Sequence, residues 1–399
     1  MNDDPNTRPA IRLLPGHDKR AASGHPWVFS NEVAMDAAAK ALPPGTLVNL
    51  SSTNGKSVGV ATFNPHTLVA ARILHRDAAT PIGEDFFAAR IEHALRMRQK
   101  LYAEPFYRLI HAEADGLPGV IVDRYGDVLS CQLNTAGIAL REAEFLDALK
   151  RVLNPQTIVL RNDTAARTLE GLASEDRVAF GTLAPPIEII ENGARFLIDP
   201  LAGQKTGWFF DQRENRALAA RFAPGARVLD AYCYGGGFGI VAALAGATHV
   251  TAVDSSQSAL DSAAASAKLN GVADKWRAVR AEVFPELDKR YGQGDRFELV
   301  IVDPPAFARS KKDLGPALRG YRKLARQAAM VTAKGGALFI ASCSHQVEVE
   351  AFANEVRRGV QDAQRDARIL ATTGAAPDHP VHPFLPESAY LKAQLLILD

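Results

Sequence analysis

From residue 215 onward the chain alternates short apolar runs with helical stretches, and that alternation constrains its fold more than any other feature. "RVLDAYCY" (227–234) leads into "GGGFGIVAALAGA" (235–247), then "HVTAVDSS" (249–256), "SALDSAAASAKLNG" (258–271), "ELVIVDPPAF" (298–307), a helix expected over 317–332, and "GGALFIASCS" (335–344). Strand-helix-strand repeats imply parallel pairing through right-handed crossovers, hence an α/β class with a doubly wound sheet. Such sheets bind ligands outside the carboxyl ends of their strands, near the point where strand order reverses. Chemistry is therefore sought at strand ends.

Upstream the texture differs. Residues 9–76 carry the runs "TLVNL", "SVGVATF" and "LVAARIL", separated by "PPG", "TNGK" and "NPH" turns, which predicts a small β-barrel-like module. A helix is expected from Glu84 to Leu101. Residues 80–190 read as a second, α+β domain, with two strands around Tyr125-Gly126-Asp127, a helix near 138–152 and a strand at 157–162. A hairpin over 184–200 turns at Glu191-Asn192-Gly193, where Asn-Gly favours a type I′ turn, and is expected to join this domain to the next.

A length of 399 residues allows two or three domains, and 47% hydrophobic with 23% charged residues is ordinary globular usage. Cys131, Cys233 and Cys343 have no metal-ligand spacing and suggest neither a disulfide framework nor a metal site. The start shows no secretory signal and no apolar run reaches the ~20 residues of a membrane span, so a reducing, cytoplasmic location without membrane contact is expected. Net charge is +1, so any nucleic-acid contact must come from local patches.

Three strand ends are chemically loaded. The first runs from Asp230 to Gly239, where glycines permit a tight turn and close ligand approach before a helix start. Asp254 ends the following strand, where an acid can hold ribose hydroxyls, or simply cap the next helix. Ile240 stands where G-x-G-x-x-G needs its last glycine, which disfavours a nicotinamide dinucleotide. Asp230 suits a cationic ligand, since a carboxylate there repels pyrophosphate. S-adenosylmethionine, with its sulfonium and amino group, is the expected cofactor.

The second end is Asp303-Pro304-Pro305, with Phe307 following. The prolines stop the strand, either as mere terminators or as a rigid platform on which Asp303 and loop carbonyls bond the edge of a planar base while an aromatic stacks on its face. Asp303 and Pro304 would also border the cofactor, and Pro305, Phe307 and Lys311 would meet substrate; Arg309, Lys311 and Lys312 stand where phosphates of a bound strand would pass, or form a solvated charge run. The third end is Ser342-Cys343-Ser344. A free cysteine is often a buried hydrophobe. Cytosine carbon 5, however, needs activation before it can take a methyl group, and a thiolate adding at carbon 6 supplies it through a covalent intermediate.

"KTGWFFDQRENR" (205–216), "LDAYCYGGGFG" (229–239), "VDPPAFARSKK" (302–312), "SCSHQV" (342–347) and "DHPVHPFLPESAYLK" (378–392), with "GHPWVFSNEV" (24–33) and "EADGLPGVIVDRYGDVL" (113–129), together resemble the large-subunit ribosomal RNA cytosine-C5 methyltransferase family. The resemblance implies a PUA-like RNA-binding domain over 1–78, a small central α+β domain over 79–190 and a Rossmann-like methyltransferase domain over 191–399. It implies that Tyr234, Gly235, Gly237 and Phe238 line the cofactor, that Asp254 holds its ribose and Glu282 its adenine amine, and that Asp211 and Arg213 close over cofactor or substrate, unless they form an Arg-Asp surface network. Cys343 becomes the nucleophile, assisted by Asp303, on 23S ribosomal RNA.

Ala306 stands in the slot where many RNA cytosine-C5 methyltransferases carry a second cysteine, so the base that removes the carbon-5 proton is unassigned. Cys233 and Cys131 read as packing residues. His379-Pro380-Val381-His382-Pro383 lacks helical ligand spacing and reads as a rigid loop, near the substrate pocket or merely structural. Trp27 either faces RNA or anchors the first module. Two competing functions are methylation of a guanine or adenine nitrogen on the Asp303-Pro304-Pro305 loop, and non-catalytic RNA binding in ribosome assembly. The oligomeric state is open, a homodimer included.

Overall fold

The structure, a computed structural model, describes residues 3–201, 203, 207–308 and 310–399. Its contacts divide the chain into two units: residues 1–185 with 199–208 and 378–386, and residues 186–198 with 209–377 and 387–399.

In the first unit, five short strands form one sheet in the order Ala10–Arg12, Thr46–Ser51, Ser57–Phe63, Val69–His75, Trp27–Phe29, the first pair parallel and the rest antiparallel. Trp27 is half-buried, and its indole N–H donates to the Glu113 carboxylate at 2.8 Å, so it anchors this sheet to the following segment. A second sheet runs Asp176–Gly181, Thr157–Arg161, Val128–Leu133, Val120–Tyr125, Phe106–His111. Helices Glu84–Leu101 and Glu142–Leu153 pack on it through Phe87, Ile91, Phe145 and Leu149. The first of these helices has the expected bounds, because its apolar residues keep one helical face. Leu47 and Val60 of the first sheet join the same core.

The second unit holds a seven-stranded sheet. Its strands are β1 (Arg227–Ala231), β2 (His249–Asp254), β3 (Trp276–Arg280), β4 (Phe297–Val302), β5 (Thr332–Ser342), β6 (Ala367–Thr373) and β7 (Lys392–Leu398), in the order β3-β2-β1-β4-β5-β7-β6. Helices α1 (Gly237–Leu244), α2 (Gln257–Leu269), α3 (Val283–Gly292), α4 (Leu314–Val331) and α5 (Val349–Asp362) connect them. The first five strands are parallel, as the alternation predicts, but β7 lies antiparallel between β5 and β6. β1, β4 and β5 are almost fully apolar because helices cover them: Leu229, Val300, Val302, Leu338 and Ile340 share a core with Tyr321, Leu324 and Ala328 of α4 and Phe352 and Val356 of α5. The hairpin Ile187–Glu191/Ala194–Ile198 has positive φ at Asn192 (52°) and Gly193 (75°), as a type I′ turn requires, and it lies in this second unit, packed on α2.

One buried charge cluster organises the first unit. Arg98, 0% exposed, donates to both oxygens of Asp115 and, at 2.9 Å, to the carbonyl of Asp378. The Asp378 carboxylate accepts the Arg108 backbone N–H at 3.0 Å and pairs with His379 Nδ1 at 2.8 Å. The His379-Pro380 loop is thus a buried anchor, and no metal-ligand cluster occurs among the described residues. Removing one partner of a buried ion pair strands the other charge in a medium that cannot solvate it. Arg98→Met is expected to destabilise this unit by about 3–5 kcal/mol, seen as a lowered midpoint in urea unfolding.

Candidate cofactor and nucleophile site

Reversal of strand order between β1 and β4 opens the crevice at their carboxyl ends, and β5 adds a third end beside them. Register fixes the neighbourhood: Ala231 pairs with Val302 and Val302 with Ile340, so the residues that follow each strand emerge side by side. The Asp303 N–H accordingly donates to the Ala231 carbonyl at 3.4 Å. Cys343 Sγ lies 3.8 Å from the Pro304 carbonyl oxygen.

The glycine turn after β1 is strained on purpose. Tyr232 (φ 64°) and Tyr234 (φ 47°) both adopt left-handed backbone, which costs a residue with a Cβ roughly 1–2 kcal/mol. Such strain persists only where surrounding structure imposes it, and it concentrates at functional sites. A Cβ at Gly237 would lie 2.5 Å from Arg216 Nε, and one at Gly239 2.8 Å from the Trp276 ring. The turn therefore excludes side chains where helix α1 begins.

Asp230 sits beneath this turn, 1% exposed, with one oxygen accepting the Gly239 N–H at 2.8 Å. Burial pushes its pKa up to about 7, against the opposing Gly239 hydrogen bond. Asp254 accepts the N–H groups of Tyr234 (3.0 Å) and Ser256 (2.9 Å), so it braces turn and helix start together. Phe238 is buried against Phe339, and the Tyr234 ring meets Phe209 edge-on at 5.2 Å. Glu282 is exposed and precedes the first turn of α3.

Asp211 and Arg213 are buried rather than displayed on a free loop. Tyr390 donates its hydroxyl to Asp211, and Asp211 gives its carbonyl to Ala376 N–H. Arg213 lies 3.5 Å from Glu191 in the hairpin, and Arg216 pairs with the same carboxylate. Lys205 and Arg309 lie outside the described residues.

The Asp303-Pro304-Pro305 loop and the thiol share one scaffold. Phe307 is half-buried, with its ring 4.7 Å from Tyr321 and 6.1 Å from Phe284, so it belongs to an aromatic row as much as to the crevice. Pro305 and Lys311 are exposed, while Pro304 is buried. Ser342 donates to the Tyr321 hydroxyl at 2.8 Å, Tyr321 and Ser344 share a second bond at 2.8 Å, and the Ala308 N–H donates to Ser344 Oγ at 3.3 Å. These bonds pin the residues on both sides of Cys343 to α4 and to the Asp303 loop. Cys343 itself is half-buried, whereas Cys131 and Cys233 are buried and burial raises both thiol pKa values. Sequence reasoning passed over Tyr321, Glu191 and Tyr390, which act through other residues; Glu191, an acid at the end of an apolar hairpin strand, was the most visible of them.

The family profile for S-adenosylmethionine-dependent methyltransferases matches residues 144–396, and that for a PUA-like domain matches residues 11–76. Ribosomal RNA large subunit methyltransferase I of Aeromonas hydrophila is 38% identical over 390 residues, covering 96% of this chain and 98% of that protein. The chain belongs to the ribosomal RNA large subunit methyltransferase I family. The Vibrio cholerae member is likewise 38% identical over 391 residues, covering 96% and 98%. Among solved structures, a putative methyltransferase from Streptococcus mutans superposes with a TM-score of 0.82 at 20% identity over 98% of this chain and all of that one. A putative methyltransferase complexed with SAH gives the same TM-score, 0.82, at 20% identity over 98% of this chain and 99% of that one. These likenesses confirm the fold of the family: a PUA-like half-barrel, a small central domain and a Rossmann-like sheet.

The family is S-adenosylmethionine-dependent, and the residues present fit that cofactor: a glycine-rich turn at a helix N-terminus and a buried carboxylate beneath it. A cationic ligand favours ionised Asp230, so binding should strengthen as pH rises through about 7. Between pH 5.5 and 7 calorimetric affinity for S-adenosylmethionine is expected to rise roughly tenfold in the wild type and to stay flat in Asp230→Asn.

Proposed function

We propose that this chain forms 5-methylcytidine in 23S ribosomal RNA through a covalent Cys343 adduct. The observation that carries the reading is the position of Cys343: alone of the chain's three cysteines it is not buried, and it stands 3.8 Å from the carbonyl of the Asp303-Pro304 loop. The names of the relatives point to large-subunit ribosomal RNA as substrate.

The residues divide the work as follows. Asp230, Tyr234, Gly235, Gly237 and Phe238 form the cofactor turn, with Asp254 toward the ribose and Glu282 toward the adenine. Arg213, held on Glu191, and Asp211, held by Tyr390, close over cofactor or substrate. When bound, the cofactor supplies an electrophilic methyl group on a sulfonium. Asp303, with Pro304 and Pro305, holds the cytosine edge, Phe307 backs the platform, and Lys311 meets a phosphate of the bound strand. Cys343 Sγ, as thiolate, bonds to cytosine carbon 6, and the displaced π electrons make carbon 5 nucleophilic. After carbon 5 is methylated, loss of its proton returns the electron pair to the 5,6 bond and expels the thiolate. An extruded or unpaired cytosine is required, because neither ring atom is reachable inside a stack.

The PUA-like segment would hold RNA within residues 1–78, with 79–190 as the central domain and 191–399 as the methyltransferase domain. Two features of the path qualify that division: residues 199–208 and 378–386 belong by contact to the first unit.

RNA carrying 5-fluorocytidine blocks the final proton loss and is expected to trap a covalent complex on denaturing gels. Trapping that survives in Cys343→Ala would sink the assignment. Nucleoside analysis of methylated RNA is expected to give 5-methylcytidine alone; a methylated guanine or adenine nitrogen would instead make Cys343 a bystander.

A further inference from the structure

The turn that carries Cys343 closes over a lysine that the reading above does not use. Lys392 begins β7, directly opposite Ser342 in the antiparallel register with β5, and is only 3% exposed. Its ammonium donates to the carbonyl oxygens of Ser344 (2.7 Å) and Val347 (2.5 Å), on the C-terminal side of the thiol. Among the described residues no carboxylate forms an ion pair with it. Two carbonyl dipoles satisfy its hydrogen-bonding capacity only in part, and a buried ammonium without an anionic partner is expensive to keep charged.

The groups around Cys343 narrow the choice of partner. From the β4 end come Asp303 and the Pro304 carbonyl. From α4 comes Tyr321, whose pKa is raised by burial, so its hydroxyl stays neutral. Its own turn adds His345, exposed and stacked on Tyr390, and then Glu348 just before α5. From β7 comes Lys392, the one buried cation of this set. Burial lowers the Lys392 pKa, and the charges that oppose this are Cys343 first and Glu348 second. Glu348 is exposed and water-screened.

We propose that Lys392 is a positioning residue for Cys343: its ammonium is the counter-charge that keeps the thiol ionised, and its two carbonyl contacts fix the turn that presents the sulfur. The inference rests on the reading of Cys343 as the nucleophile for its purpose, but not for its test. The thiol proton passes to water, and each charge of the resulting pair stabilises the other.

The test is the pH profile of Cys343 alkylation by iodoacetamide in the full chain, read by mass spectrometry on the Cys343 peptide. Cys131 and Cys233 are buried, and Cys343→Ala supplies the background. The wild-type midpoint is expected below the ordinary thiol value of about 8.5. Lys392→Met is expected to raise it by about one unit or more, slowing alkylation at pH 7 about tenfold, while Lys392→Arg, which keeps the charge, stays within about half a unit of wild type. A wild-type midpoint at or above about 8.5, or a natively folded Lys392→Met with an unmoved midpoint, would overturn the proposal. Should Lys392→Met fail to fold, the wild-type midpoint and Lys392→Arg decide the matter between them. Alkylation reports the thiol and not the RNA adduct. A low midpoint without 5-fluorocytidine trapping would therefore remove the nucleophile reading and leave the Lys392 pairing standing.

Discussion

Parallel pairing of β4 against β1 on one side and β5 on the other is the constraint from which the rest of the site follows. Because all three strands run the same way, their carboxyl ends stop at one level. The glycine turn, the Asp303-Pro304-Pro305 loop and the Cys343 turn are therefore neighbours by strand pairing, and the bond from the Ala308 N–H to Ser344 Oγ ties the last two together. The helices that cover the sheet support this pairing, since Val300, Val302, Leu338 and Ile340 pack in one core with α4 and α5. Antiparallel β7 then brings Lys392 to the same level from the opposite chain direction.

Much of this was legible in the sequence. The glycine turn, the proline stop and the apolar runs each carry a local signal, and strand-helix alternation orders them into one sheet. The Asn192-Gly193 turn and the helix Glu84–Leu101 could be read for the same reason, because backbone preference and periodicity act over a few residues. What could not be read depends on partners far away in the chain. β7 carries no such signal, because its run "KAQLLIL" follows no helix of its own and begins with a lysine, a residue that normally marks a solvent face. The family resemblance implies that Arg213 closes over cofactor or substrate, with an Arg-Asp surface network as the alternative; in the structure Arg213 is buried against Glu191, more than twenty residues upstream. Phe307 read as a free platform, yet α4 supplies Tyr321 against its ring.

Buried charge recurs in both units with different effects. In the first unit Arg98, Asp115 and Asp378 neutralise one another and fix backbone carbonyl and N–H groups at the same time. Around the glycine turn of the second unit Glu191 holds Arg213 and Arg216, and burial raises the pKa of Asp230 to about 7.

The path of the chain has a consequence for synthesis on the ribosome. Asp378, which accepts the Arg108 N–H and gives its carbonyl to Arg98, lies 280 residues downstream of Arg98. At typical elongation rates of about 5–20 residues per second, that separation corresponds to roughly 15–60 s of waiting. A nascent first unit can gather its two sheets and pair Arg98 with Asp115 long before its last buried acceptor exists. Final closure of the first unit is thus timed by the appearance of a segment made 280 residues later, so a chain interrupted before Asp378 carries an unfinished interior around Arg98.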